Sequence, residues 1–152
     1  MHLVWCKCHR LIDNYLYVVD LNNHELTDSI EMGAGPETML QVNNKIYVAN
    51  SGGFADDSTI SIVNTATDEV ENTIKVGKLP SDMVLDGMGN IWVYTRGYTN
   101  WSDIETPSYI QKINPATNEI VWQSQVGMAL DYMTLAPKLA INGNGTILYY
   151  LR

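Results

Sequence analysis

Four aromatic residues, Phe54, Tyr98, Trp101 and Tyr132, fall in polar stretches that also hold Asp56, Asp57, Arg96 and Asp103, with Gly52, Gly53 and Gly97 beside them. Flat aromatic faces next to a few directional polar groups suit stacking on a sugar ring, a planar or macrocyclic ligand, or a peptide. Glycines at such places let the backbone come close to what is bound. With Asn50 at the head of the SGGFADDS stretch, the candidate ligand-binding set is Asn50, Phe54, Arg96, Tyr98, Trp101, Asp103 and Tyr132. A plainer role for the same aromatics is to pack loops onto a scaffold.

Catalysis has less to work with. A metal-assisted hydrolase needs several His, Asp or Glu side chains converging on one point, and the histidines are only His2, His9 and His24. No GxSxG, HExxH or Gly-Lys-Ser/Thr motif occurs. The sequence therefore points to no enzyme, no catalytic residue and no cofactor. Cys6-Lys7-Cys8-His9 is at most half of a zinc site, since no second Cys pair follows. Cysteines two apart on a strand are poorly placed for a mutual disulfide, and Trp5 stands before Cys6 where a lipid anchor wants a small residue. Asp56-Asp57-Ser58 offers hard oxygens but lacks the alternating spacing of a calcium loop, and reads as a solvated loop tip. No metal is expected.

The chain has 152 residues and a formal charge of −8, from 17 carboxylates against 9 Lys and Arg. A surplus of that sign repels phosphate backbones and anionic lipid, so nucleic acid is not an expected partner. No run of eighteen apolar residues occurs, so direct membrane insertion is not expected either. Residues 1–16 carry polar and charged side chains where a signal peptide needs an apolar centre.

The elements that must hold the candidate residues come from an internal repeat. LYVVDLNNHEL from Leu16, TISIVNTATDEV from Thr59 and IQKINPATNEIV from Ile110 each read as an alternating strand, a polar turn and a second strand. The first strands end at Asp20, Asn64 and Asn114, spaced by 44 and 50 residues; the second strands end at Gly33, Gly77 and Gly127, spaced by 44 and 50 again. Pro36 and Pro80 then open short strands predicted over 38–42 and 82–86, followed by Asn43-Asn44 or the turn from Asp86 to Asn90, and by IYVANSGG or IWVYTRG. A third copy runs more loosely over 139–142, Gly143-Asn144-Gly145 and 146–151. Each unit thus supplies four short strands with Asn, Asp and Gly at the hairpins, where a positive φ or an Asx-turn is needed.

Four antiparallel strands recurring every 40 to 50 residues or so are the mark of a β-propeller blade. The fold class is therefore all-β: a propeller of four-stranded blades, about three to three and a half of them present. A partial propeller spans 15–152, with repeats at about 15–58, 59–107 and 108–152, after an off-pattern stub over 1–14 in which residues 2–6 are a candidate strand. Propellers close with about 4 to 8 blades, so the chain is expected to be a fragment of a longer ring or to pair with another copy. Within a blade of strands A to D, the D-to-A and B-to-C connections share one face, and the A-to-B and C-to-D turns share the other. The long stretches, 51–58, 95–107 and 128–138, all fall on the first face, where binding residues of a rigid scaffold concentrate.

The stretches IYVANSGG, TISIVNTATDEV, TIKVGKLP and GNIWVYTRG resemble the YVTN-type repeat and the YncE-like propellers built from it, in the family's order and over nearly the whole chain. GNIWVYTRGYTNWSD followed by YIQKIN is similar to surface propeller lipoproteins of Bacteroidetes, some of which capture vitamin B12 and hand it to an outer-membrane transporter. That resemblance implies a longer propeller of roughly seven blades and about 300 residues. It also implies a place at the cell surface or in the periplasm, and a corrinoid ligand with a transporter as partner protein, the relevant stretches being 50–54 and 96–101; a glycan is the ligand that the aromatic set itself leaves open beside it. The other expectation is a structural or protein-interaction propeller, of surface-layer or adhesion type, without a small-molecule site.

Overall fold

The structure is a computed structural model and describes residues 2–5, 13–53, 56–97, 105–129 and 137–151. All its regular elements are strands: β1 (His2–Trp5), β2 (Tyr15–Asp20), β3 (Glu25–Glu31), β4 (Pro36–Val42), β5 (Lys45–Asn50), β6 (Thr59–Asn64), β7 (Glu69–Lys75), β8 (Pro80–Leu85), β9 (Ile91–Thr95), β10 (Ser108–Asn114), β11 (Glu119–Gly127), β12 (Lys138–Ile141) and β13 (Leu148–Leu151). They form four antiparallel sheets in the orders β1-β2-β3, β4-β5-β6-β7, β8-β9-β10-β11 and β12-β13. Two whole blades, A to D, are thus flanked by a B-C-D and an A-B partial blade, and the ring is not closed among the described residues. Each sequence repeat begins at strand C of one sheet and ends at strand B of the next.

Alternation within a strand decides which neighbour each side chain meets. In β5, Ile46 and Val48 point toward the preceding blade and pack with Leu16, Val18, Ile30 and Met32. Tyr47 and Ala49 point the other way and pack with Met83, Ile91 and Val93 of the following blade. Tyr94 and Ile110 repeat the arrangement one blade on, against Leu139. Central strands covered on both faces read as continuous apolar runs, and β5 is buried along almost its whole length. Strands β3, β7 and β11, outermost in their sheets, are largely exposed.

The repeated turn residues do the same work three times. Asp20, Asn64 and Asn114 each accept a bond from the N–H two residues on, at 2.8, 2.9 and 2.9 Å. Their carbonyls receive the N–H groups of His24, Asp68 and Asn118, at 2.8, 2.9 and 2.8 Å. Those three partners have φ of 61°, 53° and 59°, the left-handed conformation that closes the hairpin.

The structure shifts some expected details. β4 and β8 start at Pro36 and Pro80, earlier than the predicted 38 and 82, because proline is tolerated at the first residue of an edge strand. Asp86 has left the strand and anchors the following turn: its carboxylate accepts from the N–H of Met88, the N–H and amide of Asn90, and Trp92 Nε1. Burial opposes its charge, but these hydrogen bonds outweigh the desolvation and hold its pKa below the usual carboxylate value. Trp122 is half-exposed and meets Trp92 edge-on at 5.4 Å.

Candidate functional site

The two kinds of connection expected to share a face do meet there. Ser51 and Gly52, which follow β5, donate their N–H groups to the carbonyls of Gly35 and Ala34, both at 2.8 Å. One blade later Arg96 and Gly97, which follow β9, donate in the same way to Leu79 and Lys78, at 3.0 and 3.1 Å. The exits of β5 and β9 are thereby fastened to the turns that bring the chain into the same blades from their predecessors. The geometry needs left-handed residues on both sides: Gly35 and Leu79 have φ of 57° and 52°, Gly52 and Gly97 of 86° and 73°. Leu79 pays this steric cost without being glycine.

Asp57 ties the far end of the first long loop into the same junction. Its Oδ2 accepts the Ala34 N–H at 2.7 Å, and its Oδ1 accepts from the Ser58 N–H at 2.6 Å and from Thr59 Oγ1 at 2.7 Å. Its carbonyl receives the Leu79 N–H at 3.1 Å. The solvated-tip reading therefore holds for Asp56 only, an exposed residue paired with Lys78. Asp57 is a structural anchor, because three donors converge on its carboxylate. In the second whole blade Ser108 takes a comparable place, its Oγ standing 2.6 and 2.9 Å from the carbonyls of Arg96 and Met128, which share its one proton.

Of the candidate binding set, two residues are described. Asn50 lies beneath the face, fully buried, with Nδ2 donating to Thr59 Oγ1 and Ser61 Oγ, both at 2.9 Å. Its repeat counterpart Thr95 is equally buried. Arg96 is partly exposed at the root of the second long loop. Phe54, Tyr98, Trp101, Asp103 and Tyr132 lie outside the described residues. The residues flanking them, Gly53 and Asp56, Gly97 and Glu105, belong to the loops just described. Sequence reasoning missed the anchoring role of Asp57, since nothing in an Asp-Asp pair distinguishes the carboxylate that faces the turn at Ala34.

Comparison with solved structures bears on the fold. The chain superposes on hydrazine synthase of Kuenenia stuttgartiensis with a TM-score of 0.68 and 19% identity, over 89% of this chain and 35% of that one. It superposes on the dihydro-heme d1 dehydrogenase NirN, in complex with DHE, with a TM-score of 0.65 and 12% identity, over 83% and 28% of the two chains. For apo AztD from Citrobacter koseri the TM-score is 0.50 at 14% identity, over 78% and 31%. These are propeller-like proteins. The fold is that of an incomplete β-propeller, its ring not closed among the described residues. The chain spans about a third of the length of the structures it matches. No protein-family model matches it, and no curated protein does.

Proposed function

We propose that this chain is part of a non-enzymatic binding propeller that holds a small molecule on the long-loop face. The observation carrying this reading is the repeated pair of hydrogen bonds by which Ser51 and Gly52, and again Arg96 and Gly97, root the long loops on the D-to-A turns. Loops fixed at their base on a rigid sheet can carry variable side chains toward a ligand at little cost to the scaffold. The sharpest version of the reading is corrinoid capture outside the cytoplasm, with delivery to an outer-membrane transporter. It is supported by the resemblance of residues 89–103 to the surface propeller lipoproteins. A neutral glycan is the next ligand class.

The test is isothermal titration of the protein with cyanocobalamin and with a glycan panel, followed by Trp fluorescence. Binding is expected, and Trp101→Ala should weaken it by about 1–3 kcal/mol, the scale of an aromatic anchor. If neither ligand class gives heat, fluorescence change or thermal stabilisation, the protein-interaction reading replaces this one.

A further inference from the structure

The face of tight turns carries a feature that the binding reading above does not use. Between the two whole blades, at that face, lies a cleft of about 460 Å³. Its walls are the A-to-B turn of the first whole blade, Asn43-Asn44, and in the second the turn around Met88 and Asn90 and the C-to-D turn at Asn114 and Pro115. Leu85 and Met88 supply exposed apolar surface within it, and Val42 and Tyr47 lie buried beneath. The Tyr47 hydroxyl reaches the Pro115 carbonyl and Asn118 Oδ1, each at 3.4 Å.

The same seam one blade further on is shut. There the A-to-B turns touch directly, with the Gly87 N–H donating to the Gly145 carbonyl at 3.1 Å. A Cβ on Gly87 would stand 2.8 Å from the Asn144 carbonyl oxygen, so the contact is close. Across the open seam no hydrogen bond joins Asn43 or Asn44 to residues 86–90. Repeat geometry alone therefore does not dictate the opening.

Its lining is amide-rich and uncharged in sum. Lys45 is its one cation and is paired with Glu71, and no carboxylate lines it. Turn chemistry occupies Asn90, which bonds Asp86, and the Oδ1 of Asn114. Among the described residues the Asn43 and Asn44 carbonyls are bonded and their side-chain amides are not, so donors and acceptors stand ready in the wall. Amides over an apolar floor match a ligand with many hydroxyls and hydrophobic ring faces and no charge. The volume lies within the range of about 300–1,000 Å³ usual for small-molecule sites.

We propose that this cleft is a binding site for a neutral saccharide of one or two rings, with Asn43 and Asn44 as its hydrogen-bonding residues. The experiment is an NMR titration of the isotopically labelled chain with maltose, cellobiose and N,N′-diacetylchitobiose to tens of millimolar, with glucose 6-phosphate as a charged comparator. At least one neutral sugar should shift the amides of residues 43–45, 88–90 and 114–116 together. Asn43→Gly, which keeps the left-handed backbone, and Asn44→Ala should each weaken it by about tenfold, the loss of one or two hydrogen bonds. Three results overturn the proposal: no saturable shift at these residues with any neutral sugar, tighter binding of the phosphate sugar, or unchanged affinity in both folded variants. If a variant fails to fold, the shift map of the unaltered chain decides. Shifts confined to residues 50–53 and 96–97 would count for the long-loop site and against this one.

Discussion

Gly33 packs directly on Asn50: a Cβ at position 33 would lie 2.5 Å from Asn50 Nδ2 and 2.8 Å from Asp57 Oδ2. Gly77 stands in the same relation to Thr95 one blade later. Two of the three glycines that mark the sequence period, Gly33 and Gly77, are therefore explained by close approach of the D-to-A turn to the end of strand B. Neither Gly33 nor Gly77 has a positive φ. Gly33→Ala is expected to destabilise the protein by about 1–3 kcal/mol, the usual cost of overpacking, because Asn50 is locked by Thr59 and Ser61. The urea midpoint measures it; a midpoint equal to that of the unaltered protein would show that Asn50 yields freely.

Two adjacent carboxylates should separate cleanly in their effects. Asp57→Ala strands the Ala34 and Ser58 N–H groups and removes the Thr59 contact, and should cost about 1–3 kcal/mol. Asp56→Ala loses only an exposed ion pair with Lys78, worth less than about 1 kcal/mol. Denaturation of both variants side by side tests the contrast, and equal losses would contradict the anchoring role of Asp57.

Ile60 is fully buried between the two whole blades, against the cluster that includes Ile91 and Val93. Ile60→Ala should lower stability by about 2–5 kcal/mol through lost burial and the cavity left behind. Val121→Ala, at an exposed position of β11, should change it by under about 0.5 kcal/mol. Thermal melts of the pair locate the stabilising apolar contacts between sheets, and a larger loss for Val121 would refute that location.

The lowered pKa of Asp86 gives stability a pH dependence of definite sign. Hydrogen bonds to the ionised carboxylate favour the folded state above the ordinary aspartate value of 3.8, and that contribution is lost as pH falls through the lower folded value. Asp86→Asn should therefore be less stable than the unaltered protein at neutral pH, with the gap narrowing below about pH 4. Melting temperatures across an acid series test this; a gap constant with pH would remove the carboxylate's charge from the explanation.

Much of the fold is legible in the sequence because its signals are local. The Asx-turns at Asp20, Asn64 and Asn114 depend on residues within four positions, and the strands on an alternation of period two. The candidate site was legible only as a face. The sequence places the long stretches together by blade order, yet Asn50 could not be distinguished from a loop residue, since its burial depends on Thr59 and Ser61 of the neighbouring strand and on Gly33 of the junction. Asp57 was misread for the same reason, its partner Ala34 being 23 residues away.

By itself, then, the amino-acid order determined the strand period, the hairpin turns and the grouping of connections into two faces, all set by neighbours along the chain. Tertiary structure alone decided which carboxylate anchors a junction, which glycine is a packing requirement, and that one seam is open where the next is closed by Gly87 and Gly145. Those outcomes depend on distances between blades, and such distances follow from the packing of many side chains at once.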